Sequence, residues 1–287
     1  MKVMVTGAGG MLAREIIRQW SWPRTKVRYE IVPLRHADLD ITNANAVRRA
    51  IEGVTPDLIV NCAAYNKVDE AETEVEIAYR VNATGPKLLA IAAEEHGIPL
   101  VHFSTDYVFD GTSARPYCEY DPINPINVYG RSKAAGELAV RDQTSRFYIV
   151  RVAWLVGLGQ DNFVETMLRL GKEKGTVAVV TDQIGCPTFC SDVARNLAPL
   201  VASGEFGMYH MTGRGQCSWH EFAVEIFRQA NMSHVIVEPT SLAAFGRPAP
   251  RPKYTVLRNL MLELGVGDLM PPWKESLGEY LSERAIT

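Results

Sequence analysis

The chain opens with a short apolar strand pattern, Val3-Met4-Val5, that runs directly into Thr6-Gly7-Ala8-Gly9-Gly10 and then into an amphipathic stretch reaching Ile17. A glycine-rich turn between a strand and a helix restricts what can follow. Glycine permits the tight turn and lets backbone N–H groups approach an anion closely. The helix behind it points its positive end at the same place. Gly7 and Gly10 stand at G-x-x-G spacing, with Ala13 three further on. In this position the turn predicts a dinucleotide pyrophosphate site, with Met11 and Leu12 opening the helix.

The next segments alternate in type. Residues 29–34, 58–60, 100–103 and 147–152 read as strands. Residues 45–52, 71–96 (interrupted around Gly85-Pro86) and 131–142 read as helices. Strands alternating with helices of this length pair in parallel through right-handed crossovers. Their uninterrupted apolar runs fit a sheet covered on both faces. Past residue 155 the pattern predicts helices over 162–174, 191–201, 218–229 and 273–283, and a strand over 177–180. Two proline-rich segments, 116–125 and 239–252, read as loops, the first over the sheet edge and the second long enough to be functional. The fold class is α/β: a doubly wound parallel sheet over 1–155, then a smaller C-terminal α/β substrate-binding part over 156–287. Some segments of that part return to the dinucleotide-binding domain.

Composition narrows the function classes. At roughly 150 residues per domain, 287 residues make two domains or one large α/β unit, enough to bury a core without staples. A net charge of −3 leaves no overall basic field, which argues against non-specific nucleic-acid binding. No run approaches the ~18 apolar residues of a membrane helix. The first apolar stretch stops too early for a signal-peptide core, so a cytoplasmic protein is expected. Five cysteines without a C-x-x-C pair read as reduced, mostly buried thiols.

Cofactor type is read at the end of the second strand. An acid there suits the free ribose of NAD, and a base suits the phosphate of NADP. Here the segment is Leu34-Arg35-His36, so Arg35 points to NADPH, with NADH possible. Asp40 and Ile41 are expected near the adenine. Asn61-Cys62-Ala63-Ala64-Tyr65 ends the third strand with small residues that allow close cofactor contact.

The chemistry concentrates in Tyr129-Gly130-Arg131-Ser132-Lys133. Tyr and Lys four apart share a helix face. A nearby ammonium is expected to lower the tyrosine pKa from about 10, making Tyr129 a usable acid/base. Upstream, Phe103-Ser104-Thr105-Asp106-Tyr107 leaves the fourth strand, and a hydroxyl there can hydrogen-bond a substrate carbonyl.

With these residues in view, the chain resembles an extended short-chain dehydrogenase/reductase. More narrowly, it resembles the dTDP-4-dehydrorhamnose reductase family, nearly end to end. The resemblance is carried by the glycine turn, Asn61 to Tyr65, Val81-Asn82-Ala83, Ser104-Thr105-Asp106-Tyr107-Val108-Phe109-Asp110-Gly111 and Tyr129 to Lys133. Later carriers are Arg151-Val152-Ala153-Trp154, Asp182-Gln183-Ile184-Gly185-Cys186-Pro187-Thr188 and Arg251-Pro252. It implies a Rossmann-type sheet and NAD(P)H-dependent reduction of the C4 keto group of dTDP-4-dehydro-6-deoxy-L-mannose to dTDP-L-rhamnose. Tyr129 would be the proton donor, Lys133 would tune it and hold the nicotinamide ribose, and Thr105 with Asp106 would bind the keto group. Trp154 and Tyr107 would contact the sugar, and Arg247 or Arg251 the diphosphate. Gly10, Met11, Leu12, Asp40, Ile41, Ala64, Tyr65, Asn66 and Phe103 match cofactor-contacting positions.

Some positions depart from the family. Tyr65 and Asn66 stand where some relatives carry His-Thr, and Tyr254-Thr255 where they often carry Asn-Ser. Some relatives form magnesium-bridged dimers through glutamates. Glu15 is present here, but Phe189-Cys190-Ser191-Asp192 offers no glutamate, so no metal is expected. The expected partner is a nucleotide sugar, without nucleic acid or membrane, in a monomer or homodimer. Three other readings stay open. One is a reductase of another nucleotide-linked keto-deoxysugar. Another is an epimerase or dehydratase retaining NAD, which Arg35 disfavours. The third is a non-catalytic regulatory subunit of the methionine adenosyltransferase type, against which Thr105, Tyr129 and Lys133 stand.

Overall fold

The structure, a computed structural model, describes residues 1–21 and 29–286. Residues 22–28, in the first expected part, and Thr287, at the end of the second, lie outside them. Six parallel strands form the central sheet, in the order Gly207–His210, Phe147–Val152, Leu100–Thr105, Leu58–Asn61, Lys2–Thr6 and Glu30–Leu34. The chain steps from the first strand to one side, then returns past it to the other. Strand order therefore reverses between Lys2–Thr6 and Leu58–Asn61. At such a reversal the flanking loops diverge and leave a crevice at the carboxyl ends. The sheet is Rossmann-type, as the strand–helix alternation predicts.

Alternation along the strands sends side chains to two cores. Val3, Val5, Val60, Val101 and Val150 meet Leu12 and Ile16 of helix Met11–Trp20 and Val193 and Leu197 of helix Cys190–Ser203. On the opposite face Met4, Ile59, Leu100 and Ile149 meet Val47, Ile51, Leu89 and Val140. A third core joins helices Phe163–Lys174, Trp219–Gln229 and Trp273–Arg284 to a two-stranded parallel sheet, Thr176–Val180 with Ile236–Thr240.

Several boundaries differ from the sequence pattern, each for a local reason. The helix expected from 131 begins at Val128, because the Asn127 side chain accepts the Gly130 N–H as an N-cap. Tyr129 therefore lies inside the first turn. The long 71–96 pattern resolves into Glu70–Glu72, Val75–Tyr79, a wide π turn Arg80–Thr84 and helix Gly85–Glu95. Pro86, lacking an N–H, cannot join a regular helix to the turn before it. Pro239 sits in a strand rather than a loop, in a sheet with only two strands, where a missing donor is tolerated. The 116–125 segment does cover the sheet edge: Arg151 donates to the Glu119 carbonyl and the His210 N–H to Glu119 Oε1 at 2.9 Å. All five cysteines are unpaired, and four are buried. Among the described residues no helix is long and apolar enough to cross a membrane.

Candidate active site

The glycine turn meets the third strand end closely. Gly7 holds φ +66°, and a Cβ there would fall 2.6 Å from the Ala63 nitrogen, so only glycine fits. Gly10 is the N-cap of helix Met11–Trp20, and no side chain caps that helix. The first-turn N–H groups of Met11 and Leu12 therefore remain open to an anion. Leu12 buries its side chain in the core, while its backbone stays at the turn. Arg35 is exposed at the end of the second strand, beside this turn: Ala8 N–H donates to the Leu34 carbonyl. The Arg35 guanidinium has no ion-pair partner among the described residues. Asp40 accepts the Thr42 N–H and hydroxyl, which hold its carboxyl below the usual range. Ile41 is buried against Gly85.

Ala63, Ala64, Tyr65 and Asn66 continue from the third strand. Asn82, in the π turn, accepts the Tyr65 N–H at 2.8 Å and donates to the Tyr65 carbonyl at 2.9 Å and to Ser132 Oγ at 3.0 Å. This amide ties the loop to the helix carrying Tyr129 and Lys133.

Thr105 ends the fourth strand, and its hydroxyl donates to Asp106 Oδ1 at 3.0 Å and accepts the Tyr107 N–H at 3.2 Å. The Asp106 Oδ2 and the Thr255 hydroxyl are both buried, and the Thr255 side chain pulls the Asp106 pKa down. Burial raises Asp106 to about 6. Tyr107 packs edge-on against Tyr129, with centroids 5.9 Å apart. Lys133, 2% exposed, donates from Nζ to the Phe103 carbonyl at 2.6 Å.

Electrostatics at Tyr129 correct the sequence expectation. Burial raises its pKa, with the neighbouring Thr105 side chain pulling the other way and Asp106 adding to the rise. Lys133 does not lower it, because burial dominates and the ammonium is held by the Phe103 carbonyl. Lys133 itself falls to about 8, chiefly through desolvation, with Glu137 opposing. At neutral pH Tyr129 is thus a protonated phenol, suited to give a proton rather than take one.

A cleft of about 720 Å³ opens beside this cluster, lined by Asn66, Tyr107, Gln183, Trp219, Arg247 and Arg251 among others. Trp154 is not on its wall. Its ring stacks on Trp219 at 3.6 Å and 9°, and it adopts φ +46°. A Cβ at Gly185 would strike the Trp154 ring at 2.5 Å. Trp219 donates to Gln183 Oε1 at 3.0 Å, and Gln183 donates to the Tyr107 hydroxyl at 3.2 Å. Sequence reasoning has Gln183 only within a motif and does not single out Trp219. The Ser218 capping box marks the helix start at Trp219 but says nothing of where the indole packs. No group of three or more His, Cys, Asp or Glu side chains able to hold a metal exists among the described residues.

A Rossmann sheet with an open anion cradle at its switch point and a Thr–Tyr–Lys cluster at the carboxyl end of its fourth strand defines a nicotinamide-dependent oxidoreductase. The chain belongs to the family described as the RmlD substrate binding domain, which matches residues 1–286. It is 42% identical to a dTDP-4-dehydrorhamnose reductase of Streptomyces griseus, over 96% of this chain and 91% of that one. A solved dTDP-4-dehydrorhamnose reductase from Clostridium acetobutylicum is 46% identical, with TM-score 0.95 and 99% of both chains covered. The Bacillus anthracis dTDP-4-dehydrorhamnose reductase, solved in complex with NADP, is 42% identical, with TM-score 0.94, covering 98% of this chain and 99% of that one.

Proposed function

We propose that the protein reduces the C4 keto group of dTDP-4-dehydro-6-deoxy-L-mannose to dTDP-L-rhamnose, with NADPH as reductant and NADH as a possible substitute. The observation that carries this reading is Tyr129 packed edge-on against Tyr107, which follows Thr105 and lines a cleft holding two arginines. The cofactor site fits on this chain's own features: the uncapped helix behind Gly10, the Gly7 close approach and the exposed Arg35 guanidinium, which has no ion-pair partner among the described residues. When bound, the reduced nicotinamide supplies the hydride.

The residues divide the remaining work. The N–H groups at Gly10, Met11 and Leu12 would hold the pyrophosphate, and Arg35 the ribose phosphate. Asp40 and Ile41 would flank the adenine, and Ala63, Ala64, Tyr65, Asn66 and Phe103 the strand-end side. Thr105 would turn its hydroxyl proton from Asp106 Oδ1 to the keto oxygen, with the Tyr107 N–H still holding the hydroxyl oxygen. Tyr129 would pass its Oη proton to that oxygen as charge develops there. Lys133 would hold the helix carrying Tyr129 against the fourth strand through its bond to the Phe103 carbonyl. Tyr107 would shape the sugar pocket, with Trp154 backing Trp219 behind it, and Arg247 and Arg251 would serve the diphosphate. Residues 156–287 mainly carry the substrate side. The unpaired thiols fit a reducing, cytoplasmic setting, with the enzyme as monomer or homodimer.

The test follows NADPH absorbance with the keto sugar generated in place by an upstream dehydratase and epimerase. Substrate-dependent oxidation is expected, falling at least about 100-fold in Tyr129→Phe with NADPH binding retained. Near-normal turnover by Tyr129→Phe would end the proton-donor role.

A further inference from the structure

Asp69 gathers both arginines of the 246–252 loop, but unequally. Arg251 engages it with two nitrogens: Nη1 donates to Oδ1 and Nη2 to Oδ2 at 2.9 Å. Arg251 Nη1 also donates to the Ala249 carbonyl at 2.8 Å, and the Ala249 N–H donates to Asp69 Oδ1 at 3.2 Å. Arg247 reaches Asp69 Oδ2 through Nη1 alone, at 3.4 Å, while its guanidinium rests 5.0 Å from the Phe245 ring. The Arg251 side chain is 13% exposed and that of Arg247 53%. Both line the 720 Å³ cleft. Arg251 holds the Asp69 carboxyl below its usual range.

An entering diphosphate meets two different cations. A long, exposed, single contact contributes little and is readily exchanged. A half-buried bidentate pair resists separation, because parting it strands a desolvated charge. A diphosphate that captured Arg251 would also leave the Asp69 carboxylate bare against its own negative charge. We propose that Asp69 is the internal counter-ion of the diphosphate subsite: it keeps Arg251 as a fixed partner and yields Arg247 to the substrate. Arg251 is then a positioning residue that acts through Asp69, and Arg247 is the group that touches phosphate. This inference rests on the nucleotide-sugar reading above.

The experiment measures dTDP binding to the NADP-saturated protein by calorimetry, with KM and kcat for the keto sugar alongside. Arg247→Met is expected to weaken dTDP roughly tenfold or more and to raise KM in step, with kcat largely kept. Arg251→Met is expected to weaken dTDP too, because it unmasks Asp69. Adding Asp69→Asn to Arg251→Met should restore most of that loss. NADP affinity reports folding in each variant. A double variant that binds dTDP as poorly as Arg251→Met alone would overturn the proposal, since Arg251 would then itself grip the phosphate. Unchanged dTDP affinity in Arg247→Met would overturn it as well. Failure of the unsubstituted, NADP-binding protein to bind dTDP would instead remove the nucleotide-sugar reading on which it rests.

Discussion

Lys133 Nζ lies 2.6 Å from the carbonyl oxygen of Phe103, so one buried hydrogen bond joins the helix carrying Tyr129 to the strand carrying Thr105. Tyr129 and Thr105 are thereby held in a fixed relation. The bond is strongest while the amine is charged. Desolvation brings that charge within reach of ordinary pH, at about 8.

Two pH effects follow from Lys133. Activity should fall as pH rises through about 8, when the ammonium deprotonates, while Tyr129 stays protonated. Stability should move the other way. The unfolded lysine titrates near 10.4, so between about 8 and 10.4 the unfolded chain binds more protons and stability rises with pH. Unfolding free energies of the cofactor-free protein and of Lys133→Met, measured at pH 7.5 and 10, should diverge in favour of lysine at the higher pH. A pH-independent difference between them would contradict the buried charge.

Arg35 tests cofactor choice. It is exposed beside the glycine turn with no ion-pair partner among the described residues, so its replacement should leave the fold intact. Loss of a charged phosphate contact of about 1.5–3 kcal/mol should raise KM for NADPH roughly tenfold or more in Arg35→Ser. KM for NADH should hardly change. Equal effects on both cofactors would remove Arg35 from the phosphate site.

The parts of this architecture set by local chemistry were legible beforehand. The Gly7–Gly10 turn, the apolar strands and the Tyr129–Lys133 spacing each follow from neighbours in sequence. What escaped was set by distant partners. Asp69 acquires its role from arginines 178 and 182 positions away, and Trp219 from stacking on Trp154. The Gly207–His210 strand was missed because Gly-Met-Tyr-His has no apolar run. Only pairing with Phe147–Val152 makes it a strand. The Tyr129 pKa was misjudged for the same reason: helix spacing predicts proximity to Lys133, whereas burial depends on the whole site.

The Trp219–Gln183–Tyr107 chain should set the shape of the sugar pocket. Removing the indole in Trp219→Ala deletes its bond to Gln183 and uncovers Trp154. KM for the keto sugar should rise more than kcat falls, because Tyr129 keeps its contacts with Thr105 and Tyr107. Steady-state kinetics at saturating NADPH separates the two. A selective loss of kcat would show instead that this chain governs the proton donor.

Stability beneath the site should depend on the Glu137–Arg151 pair. Both side chains are 3% exposed, and Arg151 donates from Nε and Nη2 to the two carboxylate oxygens at 2.8 and 2.7 Å. His210 stands 3.3 Å from Arg151 Nη1 and stays neutral, its pKa pushed down to about 3 by burial and then by that charge. It cannot substitute as counter-ion. Removing one partner leaves the other desolvated, at a cost of about 3–5 kcal/mol. Arg151→Met should therefore lower the urea midpoint sharply, and Glu137→Gln nearly as much. The double variant Glu137→Met with Arg151→Met should recover part of the loss, because neither charge of the pair is left facing a missing partner. Glu137 also favours the charged form of Lys133. In Glu137→Gln the high-pH fall in activity should begin at a lower pH, and an unmoved profile would show that the buried pair is structural alone.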